Sequence, residues 1–149
     1  MDREGLTPLL AAARAAYQKS GARAAQRQCV ALCVQHGAQL NTARCPEGRT
    51  AIFYISAIGA TDELEYMVSV GRADVHATCR QGMGAIHFAA AHGQPDSLRL
   101  LLSHGAQAEA VDARGRFVLE HALIGMPGVS LPGKGHADCH RLLLRHMAR

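Results

Sequence analysis

The sequence has no tryptophan, and only 4% of its residues are aromatic. A core built on large rings, as in many sheet sandwiches, is thereby excluded. Hydrophobic residues still make up 48%. They are mostly Ala, Leu and Val, a mixture that suits closely packed helices better than strands. Lysine is also scarce: of 16 basic residues only Lys19 and Lys134 are lysine, and the formal net charge is +4. Arginine in its place favours planar, bidentate contacts to carboxylates and phosphates over a diffuse positive cloud. No apolar stretch approaches the ~20 residues needed to cross a bilayer. The opening MDREGLTPLL lacks the basic and apolar regions of a signal peptide. Five cysteines, an odd number, show no framework spacing. A reduced, soluble, cytoplasmic chain is expected, with the nucleus as the other compartment. At 149 residues the chain is read as one domain spanning 1–149.

Internal repetition is what the sequence does contain. DREGLTPLLAAA from Asp2, CPEGRTAIFYISAIG from Cys45, CRQGMGAIHFAAAHG from Cys79 and DARGRFVLEHALIG from Asp112 line up. Their glycines Gly5, Gly48, Gly82 and Gly115 are 43, 34 and 33 residues apart. Each block runs on into a second apolar helix: CVALCVQHGAQLNTA, LEYMVSVGRADVHAT, LRLLLSHGAQAEAV and CHRLLLRHMAR. Turn, short helix, second helix and return loop at this period resemble the ankyrin repeat. Its strongest marks are Thr7-Pro8-Leu9, Ile86-His87-Phe88-Ala89-Ala90, Gly93 and His104-Gly105-Ala106. The resemblance implies an all-α solenoid of stacked helix pairs with short loop or β-turn fingers. Repeats fall near 2–42, 45–77, 79–110 and 112–149, with an inter-helix loop insertion near 126–138.

The physical reading agrees. A single helix pair cannot bury its apolar stripe, so repeats must stack. The second-helix stripes are read as Cys29, Val30, Leu32, Cys33, Val34; Leu64, Tyr66, Met67, Val68; Leu98, Leu100, Leu101, Leu102; and Leu142, Leu143, Leu144. Small residues such as Ala11, Ala12, Ala89 and Ala90 allow close approach in the first helices. Gly37, Gly71 and Gly105 are expected as left-handed caps, and Thr7 and Thr50 as first-helix starts, with Pro8 at the first helical position. An extra residue in GRADVHA predicts a bulged turn at Arg72. The first repeat carries an insert around Ser20-Gly21 that lengthens both helices. Glu120 replaces the motif histidine in the last repeat, Met147 its final glycine, and the repeat reads as a terminal cap rich in arginine.

Chemical alternatives fare poorly. His87 and His92 are five apart, roughly 140° around a helix, and cannot share a ligand. The resemblance makes His87 a loop-holding histidine. GVSLPGKG, Gly128 to Gly135, fits a phosphate-loop pattern but ends in glycine where a hydroxyl is needed, and lacks the preceding strand. It reads as a mobile inter-helix loop. His136, Cys139 and His140 offer no fourth zinc ligand, and Cys139 in register with Cys29 reads as core-facing. Cys45 and Cys79, at the aspartate position of consecutive repeats, sit a stacking step apart, too far for a disulfide. They read as free thiols along the loop edge. No Ser-His-Asp or Cys-His arrangement is supported, so no enzyme, cofactor or metal is expected.

Recognition remains. The resemblance implies a partner surface on the loop tips and adjoining first-helix faces. Those positions are Arg3, Glu4, Leu6, Arg14, Arg44, Pro46, Glu47, Arg49, Ile58, Arg80, Gln81, Met83, His92, Arg114 and Arg116. The chain is read as a monomeric scaffold or adaptor that binds an acidic or phosphorylated protein segment on this arginine edge. The competing class is a nucleic-acid binder using the same edge. It is disfavoured because no aromatics interleave with the arginines to stack on bases.

Overall fold

The computed structural model describes residues 7–18, 23–42, 44–125 and 133–149, apart from the side chains of Arg23, Gln26 and Arg27. Among the described residues there are eight helices: α1 (Pro8–Gln18), α2 (Arg23–Gln35), α3 (Ala51–Ile58), α4 (Thr61–Ser69), α5 (Ala85–Ala91), α6 (Pro95–Ser103), α7 (Val118–Ile124) and α8 (Lys134–Met147). Helices α1, α3, α5 and α7 pack in chain order as an inner layer, and α2, α4, α6 and α8 back them as an outer layer. None is long and apolar enough to cross a membrane.

The two layers differ because their surroundings differ. Every residue of α5 is buried, as is all of α3 except Ile58. An inner helix has neighbours on both flanks and behind, so it needs small or apolar residues all round. Phe53 and Phe88 meet edge to face across this layer, ring centroids 5.4 Å apart. The outer helices bury a single stripe: Val30 and Val34, Leu64 and Met67, Leu98 with Leu101 and Leu102, Cys139 and Leu143. Both α1 and α2 are long, as the insert near Ser20 predicts, but Ser20-Gly21 themselves lie outside the described residues.

Three sequence readings are corrected here. Cys29 is exposed and Leu32 is 54% exposed, because α2 has one neighbouring outer helix and only the Val30/Val34 edge reaches it. Leu144 is exposed by the same one-stripe rule, while Cys139 is fully buried and the apolar surroundings push its thiol up to about 12. After α4 the left-handed residue is not Gly71 but Arg72, at φ 55°. The extra residue moves the turn one place along, while Gly71 sits against Leu40 and the Met67 carbonyl. Finally, α8 starts at Lys134, inside the loop expected at 126–138. Gly135 there has a steric role, since a Cβ would collide with the Gly93 carbonyl at the α5–α6 turn. Residues 128–132 lie outside the described residues.

Among the described residues the last repeat exposes Phe117, Leu123, Ile124 and Leu144. Thr50 opens α3 without capping it through its side chain. Thr7 does cap, its Oγ1 accepting the Leu10 N–H at 3.3 Å.

Between the helix pairs project three fingers, each a turn closed by backbone hydrogen bonds. Cys45 N–H donates to Arg49 O, Cys79 N–H to Met83 O, and Asp112 N–H to Arg116 O. Neighbouring fingers are joined by Arg80 N–H to Glu47 O at 3.1 Å and Ala113 N–H to Gln81 O at 2.9 Å. At Gly82, φ is +71°, and a Cβ would lie 2.6 Å from Ala113 N. Gly115 has a similar φ of +76° with nothing within 4 Å. Gly82→Ala should therefore lower stability by about 1 kcal/mol more than Gly115→Ala, since only the former adds a backbone clash to the dihedral strain. Denaturant midpoints measure this, and equal losses would contradict rigid finger stacking.

Candidate functional site

In two of the three fingers the residue that opens the finger bonds the ninth residue after it, on the inner helix. Tyr54 Oη donates to Cys45 Sγ at 3.3 Å. Phe88 occupies the place related to Cys79 in the same way. In the last repeat the pair is Asp112 and His121, 3.0 Å apart. Cys45 and Cys79 are thus buried floor residues, not thiols on the loop edge. The offset of nine is visible in the sequence, and it is the signal by which the Asp112–His121 pair could have been found.

Asp112 organises the last finger. Its Oδ1 accepts the backbone N–H groups of Arg114 and Arg116, at 2.8 and 3.0 Å. Its Oδ2 accepts Arg116 Nε and Nη2 and His121 Nε2, each at 3.0 Å. The carboxylate side chain is 1% exposed. Burial pushes this carboxyl up, but the Arg116 N–H, the His121 ring and the Arg114 N–H together hold it well below the usual carboxylate range. An Asp–His pair invites a catalytic reading. Among the described residues the cavity above it is lined by no Ser, Thr or Cys, and the contacts Asp112 makes are those that hold the last finger.

Histidines take up a second recurring task. His87 Nδ1 accepts the Gly84 N–H at 3.0 Å, Glu120 Oε2 accepts the Phe117 N–H at 2.6 Å, and His136 Nδ1 accepts the Gly133 N–H at 3.2 Å. Each side chain reaches back from the third helical residue to the N–H before the helix. Glu120 therefore does the job of the histidine it replaces. His87 is buried and meets His121 of the next repeat edge to face at 5.2 Å. Among the described residues its Nε2 has no partner at full hydrogen-bond geometry, although the Ala110 backbone still acts on the ring. Burial lowers its pKa to about 4, helped by His121 and opposed by Asp112. His136 Nε2 bonds the Ala91 carbonyl at 2.9 Å, so both ring nitrogens are engaged. Among the described residues no three His, Cys, Asp or Glu side chains converge as metal ligands.

The predicted surface residues separate into two groups. Arg49 is not a free tip. Its guanidinium lies 4.9 Å over the Phe88 ring, and its Nε is buried without a hydrogen bond. His92, at the end of α5, stacks on Phe88; its Nδ1 faces Phe88 O at 2.9 Å and its Nε2 lies 3.0 Å from Tyr17 Oη. Burial lowers its pKa and favours the neutral ring, so His92 adds no cation to this face. Glu47, exposed nearby, is held below the usual carboxylate range by the Cys45 thiol and its own backbone N–H, then by Arg49 and Arg14. Arg14 and Ile58 are half-buried on the same inner face. Arg44 is spent on the fold, donating to Gly48 O at 2.8 Å and Thr78 O at 3.2 Å.

The second group surrounds a cavity of about 380 Å³ between the last two fingers, lined by Arg80, Gln81, Met83, Arg114 and Arg116 with Asp112 and His121. Met83 is buried and forms floor, not contact surface, because finger closure turns it inward. Arg116 is clamped by Asp112. Among the described residues nothing engages the side chains of Arg80 or Arg114, both exposed. Arg3, Glu4 and Leu6 lie outside the described residues.

The buried histidines impose a pH dependence. His87, His92 and His121 all have lowered pKa values, so the unfolded chain binds more protons than the folded one once pH drops below their ordinary 6.5. Stability should fall from about pH 6.5, and the His87 share should level off near pH 4, having removed on the order of 3 kcal/mol. Asp112 acts in the same direction at lower pH, below its ordinary 3.8. Thermal melts across this range test it. His87→Asn should flatten the slope, and an unchanged slope would show that His87 is not held neutral.

The family described as ankyrin repeats (3 copies) matches residues 22–112. No curated protein matches the chain. Four helix pairs, fingers joined by backbone hydrogen bonds, and a match over more than half the length lead to one assignment. The chain belongs to the ankyrin-repeat family, whose repeats are generic protein–protein interaction modules.

Proposed function

We propose that the chain is a non-enzymatic adaptor that binds an acidic or phosphorylated protein segment on the basic finger side. One observation carries this reading. Arg80 and Arg114 stand on adjacent finger tips with no side-chain partner among the described residues, although most other charged groups on the same face are committed to the fold. A guanidinium without a partner gains a charge-assisted contact when a carboxylate or phosphate arrives, and breaks none to do so. The finger-to-finger hydrogen bond from Ala113 to Gln81 fixes the separation of the two tips in advance, which lowers the ordering cost of binding.

The nucleic-acid reading gains one feature, the exposed Phe117 beside Arg116. A single ring makes no stacking track, and Tyr54 and Phe88 are buried. We further propose a cytoplasmic, monomeric protein. Its buried free thiols suit a reducing compartment, and the arginine tips proposed as the binding surface all come from one chain. Equilibrium sedimentation reading a dimer at micromolar concentration would remove the monomer from the proposal.

Arg80→Glu and Arg114→Glu should each weaken binding of acidic peptides by at least tenfold, about 1.4 kcal/mol. Folding stability should change by no more than about 0.5 kcal/mol. Arg99→Glu, on the outer layer where Arg99 pairs with Asp96 at 2.9 Å, should leave binding unchanged. Fluorescence anisotropy against a glutamate-rich peptide and a single-stranded RNA of equal charge, at two salt concentrations, measures these effects. Tighter binding of the RNA, or loss of peptide binding only in the Arg99 variant, would refute the assignment.

A further inference from the structure

We infer that the cavity between the last two fingers is a receptor for the phosphate monoester of a phosphorylated side chain. The inference rests on the interaction reading above and narrows it to one place and one chemistry. Three guanidiniums line the cavity, Arg80 from one finger, Arg114 and Arg116 from the next, with the Gln81 side chain beside them.

The charge balance selects the ligand. Among the described residues Asp112 is the only carboxylate in the lining, and burial of His121 lowers its pKa and favours the neutral ring. Three cations against one anion leave two positive charges, which matches a phosphate monoester near −2 at neutral pH better than a carboxylate at −1. Asp112 does not compete for the guanidiniums that face the opening. Its two oxygens are already filled by two backbone N–H groups, His121 and Arg116. That same contact fixes the Arg116 guanidinium by two nitrogens, with its side chain 35% exposed toward solvent. Arg80 and Arg114 have no side-chain partner among the described residues and complete the set. One arginine is thus preset and two are adjustable. Met83 and Gly125 close the wall with apolar surface, which strengthens a charge-assisted contact made beside it. Among the described residues the first finger offers no equivalent: where Asp112 holds Arg116, it has Cys45 beside Arg49, whose guanidinium is drawn onto Phe88 instead.

The test uses the whole chain and three blocked tripeptides: acetyl-Gly-phosphoserine-Gly-amide, its glutamate counterpart and its serine counterpart. Amide NMR spectra at pH 7.5 are followed during titration. The phosphopeptide should shift the signals of Gln81, Ala113, Arg114 and Arg116 saturably. The glutamate peptide should bind at least tenfold more weakly, and the serine peptide should shift none of them. Arg80→Ala and Arg114→Ala should each weaken the phosphopeptide at least tenfold with the remaining spectrum intact, and Arg114→Lys should recover part of the loss. Equal binding of the glutamate peptide would overturn the phosphate assignment while leaving the acidic-segment reading standing. Shifts spread over all fingers, or binding unaffected in both alanine variants, would overturn the cavity as the site. If no charged peptide binds here and the glutamate-rich peptide also fails to bind, the broader reading falls with it.

Discussion

The distance between successive inner helices is the constraint on which the rest of this molecule depends. Alanines such as Ala89 and Ala90, fully buried in α5, let the flanking helices come close, with Phe53 and Phe88 filling the space behind them. The fingers inherit that distance. It is short enough for Arg80 N–H to reach Glu47 O and for Ala113 N–H to reach Gln81 O. A larger residue at the helix contact would part the helices and break those bonds together. The finger tips, and every arginine on them, are therefore positioned by methyl groups well away from the surface.

Within that frame one position per repeat divides structure from recognition. The finger-opening residue and the ninth residue after it change chemistry along the stack: a thiol bonded to a phenol, then a cysteine and a phenylalanine at the same two positions, then a carboxylate bonded to an imidazole. Only the last pair is strongly polar, and its buried carboxylate recruits Arg116 to a fixed place. The result is asymmetric. The middle of the inner face is a packed aromatic and arginine floor around Phe88, whereas the final two fingers enclose a charged cavity. Ionic burial costs desolvation energy, and it is tolerated at Asp112 because every lone pair that matters is satisfied.

Much of this was legible in the sequence. The repeat glycines, the helix pairs, the lengthened first pair and the bulge at Arg72 all follow from local rules of spacing and backbone freedom. Outer-helix stripes were legible only in part. A run such as Leu100, Leu101, Leu102 does not say which residue faces inward, and Cys29 and Leu32 were placed in the core when α2 exposes both. The edge arginines were visible as a set but not as individuals, because sequence alignment gives a residue's register and not its partners. Arg44, Arg49 and Arg116 turn out to serve the fold, while among the described residues Arg80 and Arg114 have no side-chain partner.

By itself, the sequence determined the architecture, since periodic apolar residues, capping positions and turn glycines act over a few residues and recur in each repeat. The tertiary structure alone decided which charges are free. Whether a guanidinium is spent depends on a carbonyl, ring or carboxylate brought near it from another turn of the stack. Arg44 meets the Thr78 carbonyl and Arg49 the Phe88 ring only because consecutive repeats lie one stacking step apart. Such pairings are set by distance in space, and no local rule of the chain encodes them.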